Sequence, residues 1–116
     1  MTDFDKTLVK IREFRDAREW MQFHNPKNLA ISISLEAAEL LEHFQWKTME
    51  ESEAYAEVAR SEISEEIADV AIYLFELADN LGVDLLAAVN AKLAKNETKY
   101  PVETAKGSAK KYTHLK

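Results

Sequence analysis

Two pairs of acidic residues have the type and spacing of ligands for a hard metal ion. Glu36 and Glu39 are three residues apart, and so are Glu66 and Asp69. Residues three apart share one face of an α-helix, so each pair presents two carboxylates together. Carboxylate oxygens suit Mg²⁺, with Mn²⁺ as a substitute. The alternative is four exposed helix residues, because residues 1–91 contain 19 Asp and Glu and such pairs then arise by chance.

The two acidic pairs lie within an internal echo at an offset of 30 residues, since residues 34–44 are similar to residues 64–74. In each segment the pair lies at the edge of an apolar stripe. Two helices that pack these stripes together would bring the four carboxylates close to one another. Such convergence is costly unless a cation neutralises it. A di-iron carboxylate site would need Glu-x-x-His pairs, and no His in this chain lies three residues after a Glu.

Hydrophobic periodicity predicts that helices position these acids. The clearest signal spans residues 61–81, where apolar residues are spaced alternately by four and three. Further helices are predicted at about 5–20, 28–46 and 84–99, and a short one at 48–61, where Thr48 and Glu51 can form a capping box. We expect residues 21–28 to form a connection and about 101–116 an irregular tail. These elements predict an all-α, four-helix-bundle-like fold in a single domain, 1–116.

Composition excludes several classes of function. The 116 residues include only 2 Gly and 2 Pro, which disfavours β folds, and 0 Cys, which removes disulfides and thiolate chemistry. Apolar runs are too short for a membrane span, and the N-terminus lacks the pattern of a signal peptide, so a cytoplasmic protein without membrane contact is expected. Residues 1–91 carry a net charge of −11 and residues 92–116 carry +5. This acidic body argues against a nucleic-acid partner.

Several ordered motifs resemble those of the all-α nucleoside triphosphate pyrophosphohydrolases, the MazG-like superfamily. The acidic pairs match the signature of that superfamily. The flanking sequence is similar to that of the dCTP pyrophosphatase branch of this superfamily. Residues 18–29 resemble its WxxFHxPxNL motif, residues 44–47 read FQWK, and residues 69–74 resemble its DVxIYL motif. Residues 96–102 and 106–113 resemble the C-terminal motifs of the branch. The resemblance extends over roughly residues 11–115.

The resemblance implies Mg²⁺-dependent hydrolysis of a nucleoside triphosphate to a monophosphate and pyrophosphate, with dCTP or a modified dCTP as substrate and cleaning of the nucleotide pool as the role. It implies that Glu36, Glu39, Glu66 and Asp69 are the metal-binding and catalytic residues. One of these acids would orient the attacking water, and the sequence does not say which. Phosphate contacts are expected from the following residues: Lys92, Asn96, Lys99, Lys111 and Tyr112. The residues expected around the base are Trp20, His24, Asn28, Trp46 and Tyr73, because aromatic rings give large rigid contact areas.

One departure from the branch concerns base preference. Ile11 stands where the mammalian member of this branch carries a His near the base, so the preferred base is left open. The competing function is a non-catalytic helical interaction module with an acidic edge that binds a partner.

Apolar residues also lie outside the main stripes of the two echo helices. Ile31 and Leu35 do so in one helix, and Ile72 and Phe75 in the other. A helix that is apolar on more than one face is buried on more than one face. Self-association is therefore expected, and the resemblance implies a homodimer or a homotetramer built from two dimers.

Overall fold

The computed structural model describes residues 1–110 of the chain. Within these residues the protein is all-α, as the periodicity predicted, and no strand is present. The helices are α1 (Asp3–Ala17), α2 (Pro26–Glu42), α3 (Met49–Val58), α4 (Arg60–Asn80), α5 (Leu85–Lys99) and α6 (Val102–Ala105), with a 3₁₀ turn at Met21–Phe23 between α1 and α2. None of the described helices is long and apolar enough to cross a membrane. Lys111 and Tyr112 lie outside the described residues.

Side-chain caps define the starts of several helices. The Thr2 hydroxyl accepts from the backbone N–H of Asp5, and the Asp5 carboxylate accepts from the backbone N–H of Thr2. The predicted capping box at Thr48 and Glu51 has the same reciprocal pattern and starts α3. The Asp84 side chain accepts from the backbone N–H of Ala87 and so caps α5. These caps satisfy backbone donors that have no partner inside the helix.

Several boundaries and the tail differ from the prediction. Helix α1 spans Asp3–Ala17 instead of about 5–20, and α3 spans Met49–Val58 instead of 48–61. Helix α2 begins two residues earlier, at Pro26, because proline suits the first helical position and the Asn25 side chain accepts from the backbone N–H of Asn28. It ends at Glu42 instead of near Trp46, since residues 43–47 form tight turns in which Lys47 Nζ donates to the carbonyl of His43. Residues 102–105 form one helical turn, so the tail is not irregular throughout.

The chain divides into two compact units, residues 1–82 and 83–116. In the first unit α2 and α4 form the main helix pair, and α1 and α3 also pack on α4. Arg12 on α1 holds α4 through two hydrogen bonds to the Asp79 carboxylate, of 2.7 and 2.5 Å. The described part of the second unit contains α5 and α6. That one domain spans 1–116 stays a prediction.

The turn after α1 needs an unusual backbone conformation at Glu19. Its φ of 55° lies in the left-handed region, where glycine is favoured over other residues. The backbone N–H of Trp20 donates to Arg15 O and that of Glu19 to Asp16 O, which together form a Schellman motif. This turn directs Trp20 and the following 3₁₀ turn back towards α4.

Glu19→Gly is expected to stabilise the protein by about 0.5–1 kcal/mol, because glycine adopts a positive φ without the steric cost that a side chain brings. The measurement is thermal unfolding followed by circular dichroism, and the melting temperature should rise by a few degrees. Glu13→Gly, in the interior of α1, is the matched control and should lower the melting temperature. A lower melting temperature for Glu19→Gly would show that the side chain of Glu19 outweighs the strain.

Candidate metal centre and adjoining cleft

The packing of α2 against α4 brings three of the four predicted acids together. Glu36 and Glu39 come from α2, and Glu66 comes from α4. One oxygen of each carboxylate lies within 4.8 Å of those of the other two. Glu36 and Glu66 are half-buried, whereas Glu39 is exposed. The cluster thus has an inner part inside the helix pair and an outer part open to solvent.

Two oxygens of this cluster are buried and have no hydrogen-bond partner: Glu36 Oε2 and Glu66 Oε2. Burial, and then the neighbouring Glu39, raise the pKa of Glu36 to about 7. The pKa of Glu66 is also raised, again first by burial and then by the charge of Glu39. Buried carboxylate oxygens without partners are rare and costly in folded proteins. An oxygen-binding cation would supply the missing partner and the missing positive charge, so the residues present fit a divalent metal ion.

Asp69 lies outside this group of three oxygens but close to it. Its charge contributes to the raised pKa values of Glu36 and Glu66. Asp69 and Glu36 both line a large cleft bounded by α1 and α4. The predicted set of four acids is therefore arranged as a compact group of three with Asp69 beside it, and Glu36 belongs to both the acidic group and the cleft.

The cleft has a volume of about 710 Å³, within the usual range for small-molecule sites. Three of the predicted base-binding residues line it together: Trp20, His24 and Tyr73. The His24 ring centroid lies 6.2 Å from that of Trp20 and 6.2 Å from that of Tyr73. Burial, and then the charge of Glu36, raise the pKa of Tyr73, so its hydroxyl stays a neutral donor at neutral pH. The cleft thus combines aromatic rings with carboxylates.

Two other predicted substrate residues of the first unit, Asn28 and Trp46, do not line this cleft. The amide nitrogen of Asn28 donates to the backbone carbonyl of Phe23 at 2.9 Å, which holds the loop before α2. Trp46 is 88% exposed in the turn after α2 and does not line the cleft. Lys92, Asn96 and Lys99 lie on α5 in the second unit.

Two buried charged residues at the cleft were missing from the sequence prediction of the site. Arg15 on α1 and Glu76 on α4 both line it and are among the most buried residues of the described chain. A sequence signal for Glu76 existed, because it lies seven residues after Asp69 and three after Tyr73, which places the three on one helix face. Its burial depends on the position of α1, which periodicity does not specify.

His43 was also left out of the predicted site. It lines a second, smaller cleft of about 450 Å³ together with Glu39, Glu66 and Lys47. His43 Nδ1 lies 3.0 Å from the hydroxyl of Tyr55, and Lys47 Nζ lies 4.1 Å from the centre of the Tyr55 ring. In the echo His43 matches Tyr73, so both echo helices carry a ring one turn after their acids, each facing a different cleft.

The raised pKa of Glu36 predicts a pH dependence with a definite sign. Its folded-state pKa of about 7 exceeds the ordinary value of 4.5, so the metal-free folded state binds more protons than the unfolded state between these values. Stability of the metal-free protein should therefore fall as the pH rises through this window. A cation needs the ionised carboxylate, so stabilisation by Mg²⁺ should be small at about pH 5.5 and larger at about pH 8.

Thermal unfolding with excess Mg²⁺ and with EDTA at both pH values measures this difference. Glu36→Gln removes the titrating group and should weaken the dependence of metal-free stability on pH. An equal shift in melting temperature on Mg²⁺ addition at the two pH values would contradict the prediction.

Comparison with known proteins finds a matching family, similar sequences and a similar structure. Residues 31–115 match the MazG-like family. Over 117 aligned residues the chain is 44% identical to dCTP pyrophosphatase 1 of Bos taurus and 42% identical to that of Homo sapiens, covering 96% of this chain and 69% of each relative. It also resembles the crystal structure of a pyrophosphatase from Archaeoglobus fulgidus DSM 4304, with a TM-score of 0.84, 48% identity and coverage of 87% of this chain and 94% of that chain.

The sequence motifs had already suggested this relationship. The family match covers both acidic pairs, which the structure brings to the α2–α4 interface. The relatives align with nearly the whole chain, including the Trp20 and His24 segment that precedes the family match. Matching motifs, matching fold and extended sequence identity lead to the same conclusion: the chain belongs to the MazG-like family.

Proposed function

We propose that this protein is a Mg²⁺-dependent nucleotide diphosphatase that hydrolyses dCTP, or a modified dCTP, to the monophosphate and pyrophosphate. The observation that carries the proposal is the group of three acids with two buried, partnerless oxygens beside an aromatic cleft. The base is suggested by the relatives, which are dCTP pyrophosphatases at 42–44% identity. Its cellular role would be the cleaning of the nucleotide pool.

The donor atoms support the choice of metal. Glu36, Glu39 and Glu66 offer carboxylate oxygens only, and such sets suit Mg²⁺, with Mn²⁺ as a substitute. Asp69, next to this group, is the fourth proposed ligand. When bound, the metal would neutralise triphosphate charge and polarise the phosphoanhydride bond.

The protein itself supplies position and enclosure. Trp20, His24 and Tyr73 would hold the base in the cleft. Glu36 lines the same cleft and belongs to the acidic group, so the base site and the proposed metal site adjoin. Water would add across the bond between the α- and β-phosphates, so that the monophosphate and pyrophosphate together contain the oxygen and both hydrogens of one water. Such chemistry depends mainly on positioning and electrostatic stabilisation.

The remaining substrate contacts belong to the same proposal. Lys92, Asn96 and Lys99 lie on α5 and would meet the phosphates, as would Lys111 and Tyr112 in the tail. Lysine acts in such sites as a mobile point charge. Trp46 and Asn28 would add contacts around the base.

Exposed apolar side chains support self-association as a homodimer or a homotetramer. Leu35 on α2 is 60% exposed and Ile67 on α4 is 53% exposed, and Ile31 and Ile72 are also exposed. The first unit buries few apolar residues, namely Leu29, Ala59, Ile63 and Ala78. Large apolar side chains that are exposed in this number are typical of an interaction site. We place the oligomer in the cytoplasm, where it would act on nucleotides and on neither membranes nor nucleic acids.

The proposal is tested with a panel of canonical and 5-modified deoxynucleoside triphosphates, incubated with Mg²⁺ and, as control, with EDTA. Release of pyrophosphate together with the nucleoside monophosphate, highest with the cytosine nucleotides and absent in EDTA, is expected. Release of inorganic phosphate together with a diphosphate would identify cleavage at a different bond. No hydrolysis of any nucleotide by a folded, metal-loaded protein would favour the non-catalytic interaction module instead.

A further inference from the structure

Glu76 is a buried carboxylate at the wall of the cleft, with an exposed fraction of only 3%. Its Oε2 lies 2.7 Å from His24 Nδ1 and 3.4 Å from the side-chain nitrogen of Asn80. Arg15, itself 8% exposed, places Nη1 3.7 Å from the same oxygen. A buried carboxylate is tolerated when such partners compensate its charge. Glu76 therefore joins α1, the loop before α2, and α4 in one polar network.

The contact with Glu76 favours the tautomer of His24 that carries its hydrogen on Nδ1. An ionised carboxylate only accepts hydrogen bonds, so Nδ1 must be the donor across the 2.7 Å contact. When the imidazole is neutral it carries a single N–H, so Nε2 is then an acceptor. No residue within 1–110 forms a hydrogen bond with Nε2, whereas the ring itself lines the cleft beside Trp20 and Tyr73.

An acceptor at this wall distinguishes two kinds of pyrimidine. Cytosine carries an amino group at C4, which donates hydrogen bonds, whereas uracil and thymine carry an oxygen there, which accepts them. A 4-oxo base would place two acceptors against each other. Sites built around a hydrogen bond reject analogues that lack the donor much more strongly than sites built on shape alone.

We propose that Glu76 is a positioning residue that holds His24 with Nε2 as an acceptor for the exocyclic amino group of a 4-aminopyrimidine nucleotide. This proposal rests on the proposed function and names the group that would recognise the base. It assigns a role to an ion pair that lies outside the acidic group of α2 and α4. Ile11 also lines the cleft and offers no polar group to the base, so His24 would supply the hydrogen bond that recognises it.

Variants of equal size distinguish a role of Glu76 in positioning His24 from a role in stabilising the fold. Glu76→Gln can donate from its amide to Nδ1, which releases the fixed tautomer. It should lower the ratio of kcat/KM for dCTP over dUTP by about tenfold or more, mainly through KM for dCTP. Glu62→Gln, an exposed change of the same type on α4, is the control and should leave the ratio unchanged.

Two substitutions of His24 provide a matched pair. The amide nitrogen of Asn occupies the place of Nδ1, so His24→Asn keeps a donor to Glu76 and has no group where Nε2 was. His24→Gln extends to the place of Nε2 and can offer its carbonyl there. We expect His24→Asn to lose base discrimination while the melting temperature is retained, and His24→Gln to keep part of the discrimination.

¹⁵N NMR of the histidine ring tests the geometry without any need for turnover. In the wild-type protein Nδ1 should be protonated and Nε2 unprotonated, and the Nε2 resonance should shift with α,β-imido dCTP more than with α,β-imido dUTP, neither of which is cleaved. A protonated Nε2 with a bare Nδ1, or equal shifts with both analogues, would overturn the proposal. So would an unchanged dCTP to dUTP ratio in folded Glu76→Gln and His24→Asn. Failure of the proposed function would show differently, as absence of hydrolysis in the wild type.

Discussion

Glu39→Gln and Glu66→Gln are each expected to reduce pyrophosphate release by roughly 100-fold or more at saturating Mg²⁺. Each change keeps the size of the side chain and removes one charged oxygen ligand from a group whose oxygens lie within 4.8 Å of one another. Asp69→Asn, beside this group, should have a similar effect. Initial rates and Mg²⁺ binding by calorimetry measure the two consequences.

The same variants should not be less stable than the wild type when metal is absent. Three neighbouring carboxylates without a cation repel one another, so removal of one charge should maintain or raise the melting temperature in EDTA. Glu65→Gln is a matched control, since it is exposed and adjacent to Glu66 in the chain. Wild-type rates in both Glu39→Gln and Glu66→Gln would refute the assignment of these residues as metal ligands. A collapse of the fold would instead indicate a structural role.

Trp46→Ala is expected to lower kcat/KM by about tenfold or more, although Trp46 lies outside the cleft of its own chain. A tryptophan that is 88% exposed is unusual in an isolated domain and suits a residue that completes the site of a neighbouring subunit. Sedimentation at micromolar concentration should show an oligomer of the 13.3 kDa chain. A fully active monomer would refute this prediction.

Mixing of two impaired variants tests whether the site is shared. A Glu39→Gln chain retains Trp46, and a Trp46→Ala chain retains Glu39, so a mixed dimer contains one site with both residues intact. Random exchange at equal amounts should restore about a quarter of the wild-type activity, because half of the dimers are mixed and each has one of two sites intact. Absence of recovery, with exchange proven by mass-tagged subunits, would place each site within one chain.

Local sequence determined the helices and most of their starts. The alternating spacings of four and three in residues 61–81 predicted α4, and the caps at Thr48 and Asp84 operate within four residues of chain. Such signals need no knowledge of distant residues. The family was also predictable, because its motifs are contiguous stretches of sequence. By contrast, the end of α2 at Glu42 was missed, since the turns at residues 43–47 interrupt a stripe that continues to Phe44.

Only the tertiary structure decided which acids meet. The two pairs have equivalent spacings in the sequence, yet Glu66 joins Glu36 and Glu39 while Asp69 lies beside them at the cleft. The offset between α2 and α4 along their shared interface sets this difference, and helical periodicity within each segment says nothing about that offset. The buried, partnerless oxygens of Glu36 and Glu66 follow from the same packing.

Glu76, which also lines the cleft, shows the same dependence on packing. In sequence it is one acid among 21 Asp and Glu residues. It becomes a buried partner of His24 because α1 packs on α4 and brings Arg15 within 3.7 Å, and because the turn at Glu19 returns the chain to the cleft. A carboxylate is stable in such a place only when its partners are assembled around it. Two of these partners, His24 and Arg15, lie 52 and 61 positions away in the chain, beyond the reach of any local pattern.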